Sequence, residues 1–573
     1  MSATTATREP EYTTRTGKLG GWADSRLGLG GVVRGGARKI FPDHWSFMLG
    51  EIALYSFIIC LVTGVFLTFF YIPSVALIEY EGPYEPAQGK LVSEAWASTV
   101  DLSYEVRGGL LMRQIHHWAA LVFVAATVVH MMRVFFTGAF RKPRELNWVI
   151  GALLALLAIF EGFAGYSLPD DLLSGTGLRI AAAIILAIPL IGTYIHFFAF
   201  AGEFPGEAFI PRLYTIHVLL LPAIFLALIA AHLFLVVLHK HTQYPGPGRT
   251  NGNVVGYPLL PVYVAKAGGF FFIVFGVIAL MAAFVQINPI WAYGPYDPSP
   301  VTAGSQPDWY MGWLDGAVRT MPGWLEVNIF GYVLSGNILL PAVVLPGLIT
   351  TVLVAYPWIE AAATGDKREH HLLDRPRNAP TRTGLGVMAL TFYVLMWANG
   401  GNDILAVQLG LAINDITRFV GVMMFVAPPL AFIVTKRICL GLQRRDRERV
   451  LHGVETGQVY RLDTGEVLER HRPMDEFERW ELVQHEAYRP LDPGPVTDAN
   501  GVRRKGAWAD GMRRRLSRFY FEDRVEPVTP AELAAAHSHG AHDEVDAIDS
   551  AAHGADGERL DARSEKQIGS GQA

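Results

Sequence analysis

Residues 113–130 read RQIHHWAALVFVAATVVH and residues 212–232 read RLYTIHVLLLPAIFLALIAAH, and these two stretches decide the fold. Each is a long apolar run with a histidine near each end. The histidines are His116 and His130 in the first run, 14 residues apart, and His217 and His232 in the second, 15 apart. At about 1.5 Å rise and 100° per residue, both spacings place the two histidines of a helix on roughly one face, about 21 Å apart.

Two helices that carry such histidine pairs and face each other could hold two stacked metal centres. Each centre would take one imidazole from each helix, and bis-histidine ligation of haem b explains both pairs at once. The alternative is that membrane histidines join helices by hydrogen bonds or act singly. Two pairs with nearly matched spacing argue against that alternative. His117 lies about 100° around the helix from His116 and is interpreted as a supporting or packing residue.

The composition indicates a polytopic membrane protein. The chain has 573 residues, of which 51% are hydrophobic, and its mean hydropathy is +0.27. The two cysteines, Cys60 and Cys439, lie at or in apolar runs and imply no disulfide framework. No C-x-x-C-H motif occurs, so a haem would not be attached covalently. Walker and dinucleotide fingerprints are absent, and we expect no nucleic-acid partner.

Eight apolar runs are long enough to cross a bilayer. They are approximately residues 45–72, 110–138, 147–168, 212–238, 267–288, 335–358, 383–399 and 417–438. Basic residues crowd the N-terminal tail and the loops 141–144 and 360–382, which predicts that both termini are cytoplasmic. A further apolar run at 179–200 would invert this order if it crossed. It is therefore predicted to form a hairpin or interfacial helices on the outer side.

We predict an all-α polytopic membrane protein with eight transmembrane helices and a four-helix di-haem bundle. Four parts are expected: a cytoplasmic N-terminal tail at 1–44, the di-haem bundle at 45–240, a second four-helix membrane part at 241–440, and a partly disordered cytoplasmic tail at 441–573. In this orientation the first histidine of each pair lies near the outer surface.

The polar C-terminal tail contains a short histidine tract. His537, His539 and His542 could bind a metal. A solvated, disordered chain end is the simpler interpretation of this composition.

Paired glycines repeat the spacing of the histidines. Gly50 and Gly64 are 14 residues apart in the first apolar run, and Gly151 and Gly165 are 14 apart in the third. Glycine lacks Cβ, so a flat macrocycle could approach the backbone at both levels. Ordinary packing between membrane helices is the alternative.

Two arginines flank the first histidine pair. Arg113 precedes His116 by three residues, and Arg133 follows His130 by three. Residues three apart are neighbours on a helix, so each guanidinium could bind the propionates of a haem. The alternative is that both arginines extend to the membrane interface.

On these residues the chain resembles the cytochrome b subunit of the quinol–cytochrome c oxidoreductase (cytochrome bc) complex over about 40–440. The motifs SLPDDLLSGTGLR, KHTQYPGPGRT and HHLLDRPR resemble its actinobacterial type. The resemblance implies that His116 and His217 ligate a low-potential haem b near the outer side. It also implies that His130 and His232 ligate a high-potential haem b near the inner side.

The outer loop contains a second part of this resemblance. Pro307, Asp308, Trp309 and Tyr310 resemble the Pro-Glu-Trp-Tyr motif of the family's quinol-oxidation site. The acid here is one methylene shorter, and a carboxylate at that place can accept a proton as quinol is oxidised. Tyr166 matches a tyrosine that lines the same site.

The chain departs from the family at two places. Asp170 and Asp171 stand where the family often has tryptophan, so the shape of the quinol pocket is expected to differ. At the inner quinone-reduction site, Ala267 stands where the mitochondrial branch has aspartate, and that carboxylate is missing. His239 or His241 could lie at the inner site instead.

The resemblance implies electron bifurcation. Menaquinol at the outer site would give one electron to a Rieske iron–sulfur subunit and one, through both haems, to an inner quinone site, with proton translocation. A c-type cytochrome subunit, a homodimer and association with a terminal oxidase in the plasma membrane are also implied. Two alternatives remain open at this point. A haem b anchor of another dehydrogenase would lack the 307–310 motif, and a non-redox transporter would hold no haem.

Overall fold

The computed structural model describes residues 13–28, 30–299 and 306–461 and, with several gaps, 464–536. Eight helices in these ranges are long and apolar enough to cross a membrane. In chain order, α1 to α8 are Trp45–Thr68, Gly109–Phe136, Glu145–Tyr166, Phe209–Leu238, Leu259–Phe284, Gly336–Thr364, Pro380–Gly400 and Ile413–His452. Each overlaps the apolar run predicted for it, so the all-α membrane fold with eight spans is confirmed.

The surface of these helices is apolar where it faces outward. Helix α4 is strongly apolar, yet little of its surface is buried inside the protein. Leu219 and Phe234 are 65% and 64% exposed. Apolar side chains on an outer surface require hydrocarbon around them, and a helix satisfies its backbone hydrogen bonds internally. This outer surface is therefore suited to contact with the lipid hydrocarbon of a membrane.

Aromatic rings fill the middle of the bundle formed by α1 to α4. Phe57 of α1, Phe123 of α2 and Phe225 of α4 have ring centroids 5.5 to 5.6 Å apart. Leu154 and Ala158 of α3 belong to the same buried cluster. Each phenylalanine lies about halfway along the chain between the paired glycines or histidines of its helix. The cluster therefore separates an upper from a lower level of the bundle.

The apolar stretch after α3 forms two short helices. Leu172–Leu186 has 15 residues and Gly192–Phe200 has nine. At about 1.5 Å per residue, neither reaches the roughly 30 Å of a hydrocarbon core. Their lengths agree with the predicted hairpin or interfacial arrangement.

Short elements connect the spans. The remaining helices in the described ranges are Arg15–Leu27, Gly30–Ala37, Glu94–Tyr104, Ile290–Tyr293, Gly312–Thr320, Asn402–Leu409 and Ala507–Phe521. Single 3₁₀ turns lie at Glu85–Ala87, Gly323–Leu325 and Pro376–Asn378. The strands form antiparallel pairs: Ile40–Phe41 with Tyr257–Pro258, Leu77–Glu79 with Leu91–Ser93, Glu326–Ile329 with Tyr332–Ser335, and Val454–Arg461 with Val467–Arg472.

The chain divides into two compact units, and the second consists of the residues after 435 with two short segments, Pro245–Pro247 and Arg377–Pro380. Helix α8 continues to His452, 14 residues past the predicted end of its span, because the segment GLQRRDRERVLH is rich in good helix formers. Within the second unit Arg377 donates to both oxygens of Asp446 at 3.0 Å. The histidine tract at 537–542 lies outside the described residues.

A buried ion network joins α6, α7 and the loops beside them in the first unit. Arg382, which is 2% exposed, donates to Glu360 at 2.8 Å and to Asp374 at 2.7 Å. Arg141 lies 3.0 Å from the other oxygen of Asp374. Burial alone would raise the pKa of Asp374, but the two guanidinium groups outweigh it and hold that pKa at about 2.

We expect Arg382→Leu to destabilise the protein by about 3–5 kcal/mol, because Glu360 and Asp374 would stay buried without their partner. The matched control is Arg418→Leu, since that side chain is 79% exposed and lies 3.8 Å from Asp415. Its loss should stay below about 1 kcal/mol. Unfolding titrations in mixed detergent micelles measure both. Equal losses in the two variants would contradict the importance of the buried network.

Candidate functional site

The predicted histidine pairs face each other inside the bundle. The ring centroids of His116 and His217 are 6.2 Å apart, and those of His130 and His232 are 6.4 Å apart. Two metal–nitrogen bonds of about 2.0–2.1 Å, with about 1.1 Å from each nitrogen to its ring centroid, add up to about 6.3 Å. Each pair therefore has the separation that one metal ion between two imidazoles requires.

A π-helical turn accounts for the unequal spacing of the two pairs. The turn Ile216–Leu220 of α4 carries His217, and Leu221 N donates to a carbonyl five residues earlier. Such a turn takes up one extra residue, so the 15-residue step to His232 is equivalent to the 14-residue step in α2. Pro222 is the local signal that could have predicted this turn, because its ring nitrogen cannot donate a backbone hydrogen bond.

Two cavities lie at the two histidine levels. The first cavity is lined by His116 and His217, and the second cavity by His130 and His232. Phe123 lines both. The bundle therefore holds two cavities, one beside each histidine pair.

The Nδ1 atoms of the first pair contact neighbouring helices. His116 Nδ1 lies 3.0 Å from Thr63 Oγ1 and 3.1 Å from the Cys60 carbonyl oxygen. His217 Nδ1 lies 3.2 Å from the carbonyl oxygen of Glu161 and 3.2 Å from its carboxylate. Contacts of this kind select the ring tautomer and leave Nε2 for a metal. The sequence reasoning did not single out Glu161.

The four predicted glycines lie against the four histidine rings. A Cβ added to each would meet a ring Cε1 atom at 2.6 Å for Gly165 and His217, 3.1 Å for Gly50 and His130, 3.2 Å for Gly64 and His116, and 3.8 Å for Gly151 and His232. The first three distances are too short for a side chain unless the ring moves. Gly50, Gly64 and Gly165 therefore make room for the imidazoles themselves, and the approach of a macrocycle to the four glycines stays a prediction.

The turn at 307–310 brings an acid into the first cavity. Asp308, Tyr310 and Tyr166 all line it. Tyr310 Oη donates to Asp308 Oδ2 at 3.0 Å, and His117 Nε2 lies 3.4 Å from the same oxygen. His117, interpreted from the sequence as a supporting or packing residue, thus contacts the predicted acid. In the sequence, the feature that could have indicated this role is the position of His117 directly after the predicted ligand His116.

Pro307 and Trp309 are not among the described residues that line the first cavity. The Trp309 carbonyl accepts from Trp397 Nε1 of α7 at 3.0 Å. A Cβ added to Gly162 of α3 would meet Tyr310 Oη, so a glycine admits that ring. In this motif the acid and the tyrosine face the cavity, while the tryptophan anchors the turn.

Asp170 and Asp171 also stay outside the lining of the first cavity, as far as the described residues extend, although Pro169 belongs to it. Asp171 caps the helix Leu172–Leu186 and accepts from Leu173 N at 2.9 Å. Burial raises the pKa of both carboxyl groups to about 6. The departure from the family therefore changes how this helix begins and adds no acid to the pocket.

The comparisons with known proteins agree with one another. Residues 121–295 match the family model "Cytochrome b(N-terminal)/b6/petB". The cytochrome bc1 complex cytochrome b subunit of Streptomyces coelicolor is 56% identical over 91% of this chain and 96% of its own length. The subunit of Mycobacterium tuberculosis H37Rv is 51% identical over 79% of this chain and 82% of its own. This chain belongs to the cytochrome b family of cytochrome bc1 complexes.

The predicted resemblance to the actinobacterial type is thereby confirmed, and both alternative functions are set aside. A solved structure described as a hyperthermophilic respiratory Complex III contains a chain 21% identical, with a TM-score of 0.54 over 73% of this chain and 99% of that chain. That similarity shows a shared fold. This cytochrome b is a multi-pass membrane subunit of a quinol–cytochrome c oxidoreductase of the Complex III type. Family membership implies haem b, quinone, and Rieske and cytochrome c subunits as partners.

The charged groups beside each cavity suit haem b. Arg113 lines the first cavity and Arg133 the second. Nη2 of Arg113, and Nε and Nη2 of Arg133, are buried without a hydrogen-bond partner among the described residues. Arg113 is only 7% exposed, so its side chain is covered by protein and does not reach into solvent. Unpaired guanidinium nitrogens beside a cavity are the donors that propionate carboxylates require.

The two candidate inner histidines lie differently with respect to the second cavity. His241 lines it, and His239 is not among its described lining residues. Burial lowers the pKa of His241 to about 4, so its imidazole is neutral at pH 7. Lys266, next to Ala267, forms an exposed ion pair with Asp43 at 2.6 Å.

We expect Gly165→Ala to weaken haem binding at the first cavity, because the new Cβ would displace His217. Gly276→Ala on α5 is the control, since a Cβ there would meet no other atom within 4 Å. Haem b bound per chain in purified membranes measures both effects. Full haem content in the Gly165→Ala protein would contradict the close-contact argument.

Proposed function

We propose that this cytochrome b oxidises menaquinol in the first cavity and reduces menaquinone in the second, with coupled proton translocation. The observation that supports this most directly is the content of the first cavity. There a facing imidazole pair at metal-binding separation shares one space with Asp308, Tyr310 and His117. A carboxylate held by a phenol and an imidazole is suited to take the proton that quinol releases when it is oxidised.

In this proposal His116 and His217 hold the low-potential haem b, and His130 and His232 hold the high-potential one. Bound there, the two haems supply one-electron transfer between the two sides of the membrane. The chain contributes position, because both imidazole separations lie near the expected 6.3 Å. Arg113 and Arg133 would hold the propionates.

The first cavity handles the proton through three side chains. Asp308 accepts it from the quinol hydroxyl, and Tyr310 fixes the carboxylate by donating to Oδ2. His117, 3.4 Å from that oxygen, can hold the proton before it leaves for the outer water. These two neighbours position a carboxylate whose side chain is one methylene shorter than the family's glutamate. Tyr166 closes the same cavity from the end of α3.

The orientation follows from charge. Basic residues concentrate in the loop 141–144 and between α6 and α7, which supports a plasma-membrane protein with both termini cytoplasmic. The first cavity then lies near the outer side and the second near the inner side. Electrons moving inward oppose the membrane potential at about 2.3 kcal/mol per charge per 100 mV. A homodimer associated with a terminal oxidase is proposed from the similarity to the actinobacterial relatives.

We expect Asp308→Asn to slow quinol oxidation by about 10²–10⁴-fold, because the amide cannot accept the proton. Quinol–cytochrome c reductase activity of the purified complex measures the rate, and optical spectra should show unchanged haem b. Asp297→Asn, in the loop after α5, serves as the control and should keep full activity. An unaltered rate in Asp308→Asn would remove the proposed role.

We expect His130→Ala to remove one haem b and leave the other, since each histidine pair is proposed to hold a separate haem. A redox titration of haem b absorbance should then resolve one component where the wild-type protein shows two. His239→Ala should retain both components. Loss of both haems, or of neither, from a folded His130→Ala protein would contradict the assignment of ligands.

A further inference from the structure

The second cavity contains a carboxylate that neither the histidine pattern nor the family motif pointed to. Glu51 follows Gly50 on α1 and lines this cavity together with Tyr263 of α5 and His241 of the loop after α4. A glutamate in the first turns of a membrane helix is energetically costly, and such a residue is therefore a candidate functional group. Its neighbours indicate what that function is.

Glu51 is held by phenols. Tyr263 Oη donates to Glu51 Oε1 in a close hydrogen bond, and Tyr55 Oη lies 3.4 Å from Glu51 Oε2. Both hydrogen-bond partners of this carboxyl group in the described residues are therefore tyrosine hydroxyls. A phenol carries no permanent charge, and its hydroxyl can either donate to a carboxylate or accept from a protonated carboxyl group.

Glu51 lies next to the position where the family's carboxylate is missing. Tyr55 Oη, besides its contact with Glu51, donates to the backbone carbonyl of Ala267 at 3.0 Å. One tyrosine hydroxyl thus connects α1 to the position on α5 where the mitochondrial branch carries aspartate. The acid absent from α5 is present on the helix packed against it.

Other charged or titratable groups lie near this cavity. Arg133 lies over the Phe47 ring at 4.4 Å, and His241 Nδ1 lies 2.7 Å from the Thr242 carbonyl. Lys266 and Asp43 pair with each other at a solvent-exposed position and are about half exposed. That exposed pair lies at the start of α5, where water can resupply protons.

We propose that Glu51 is the proton donor for quinone reduction in the second cavity, an assignment that rests on the proposed function. Quinone takes up two electrons, which bound haem b would supply, and two protons to become quinol. Glu51 transfers its carboxyl proton to one quinone carbonyl oxygen and is reprotonated from water on that side. The second oxygen takes its proton from the same aqueous side, and Tyr263 orients the carboxyl group.

The test uses the purified complex with Glu51→Gln, Glu51→Asp and Glu145→Gln. Glu145 begins α3, and among the described residues it does not line the second cavity, so its variant is a matched control. Rapid mixing separates two rates: haem b reduction by menaquinol, and reoxidation of haem b by added menadione. Redox-difference infrared spectra follow protonated carboxyl groups independently of turnover.

We expect Glu51→Gln to slow haem b reoxidation at least about tenfold, with unchanged reduction and loss of a carboxyl band from the infrared spectrum. Glu51→Asp should recover part of the rate, and Glu145→Gln should match the wild type. Unchanged reoxidation, or equal slowing in Glu145→Gln, would overturn the assignment of Glu51 alone. If menadione fails to reoxidise haem b in the wild-type complex, quinone reduction at the second cavity is wrong, and the role of Glu51 falls with it.

Discussion

The separation of two facing imidazoles is the constraint on which the rest of the bundle depends. It can be met twice in one bundle only if α1 and α3 come close enough to seat the rings without colliding with them. Gly50, Gly64 and Gly165 satisfy this condition, because a Cβ at any of them would lie 2.6 to 3.2 Å from a ring carbon. The π-helical turn at His217 takes up the extra residue of α4, so that His217 and His232 lie on the same face of this helix. The backbone geometry of α1, α3 and α4 thus brings the imidazoles to the separation that both proposed metal centres need.

Acidic side chains inside this bundle are held by neutral or titratable groups. Asp308 has a phenol and an imidazole as neighbours, Glu51 has two phenols, and Glu161 faces His217. At the loop end of α6 the pattern is different, since Glu360 is bound to Arg382. Permanent ion pairs hold loops together, whereas carboxylates without a cation can exchange protons. The type of partner therefore distinguishes acids that stabilise the fold from acids suited to chemistry.

The sequence predicted those parts of the site whose residues lie close together on one helix, and not those that depend on contacts between helices. The histidine pairs, paired glycines and flanking arginines follow from spacing within single helices, because helical geometry is local. Glu161 and Glu51 could not be found in that way. Their importance comes from contacts with His217, Tyr55 and Tyr263, two of which lie on other helices. Helix packing decides those contacts, and no local pattern encodes it.

By itself the sequence determined the number of spans, the helices that carry the proposed metal ligands, and the family. Apolar length and residue period are properties of one segment in hydrocarbon, so they need no knowledge of its neighbours. Only the tertiary structure decided that His117 faces Asp308, that Asp171 caps a helix, and that Glu51 lies beside the place of a missing acid. Those facts depend on which faces of separate helices meet, and close packing between helices selects the faces.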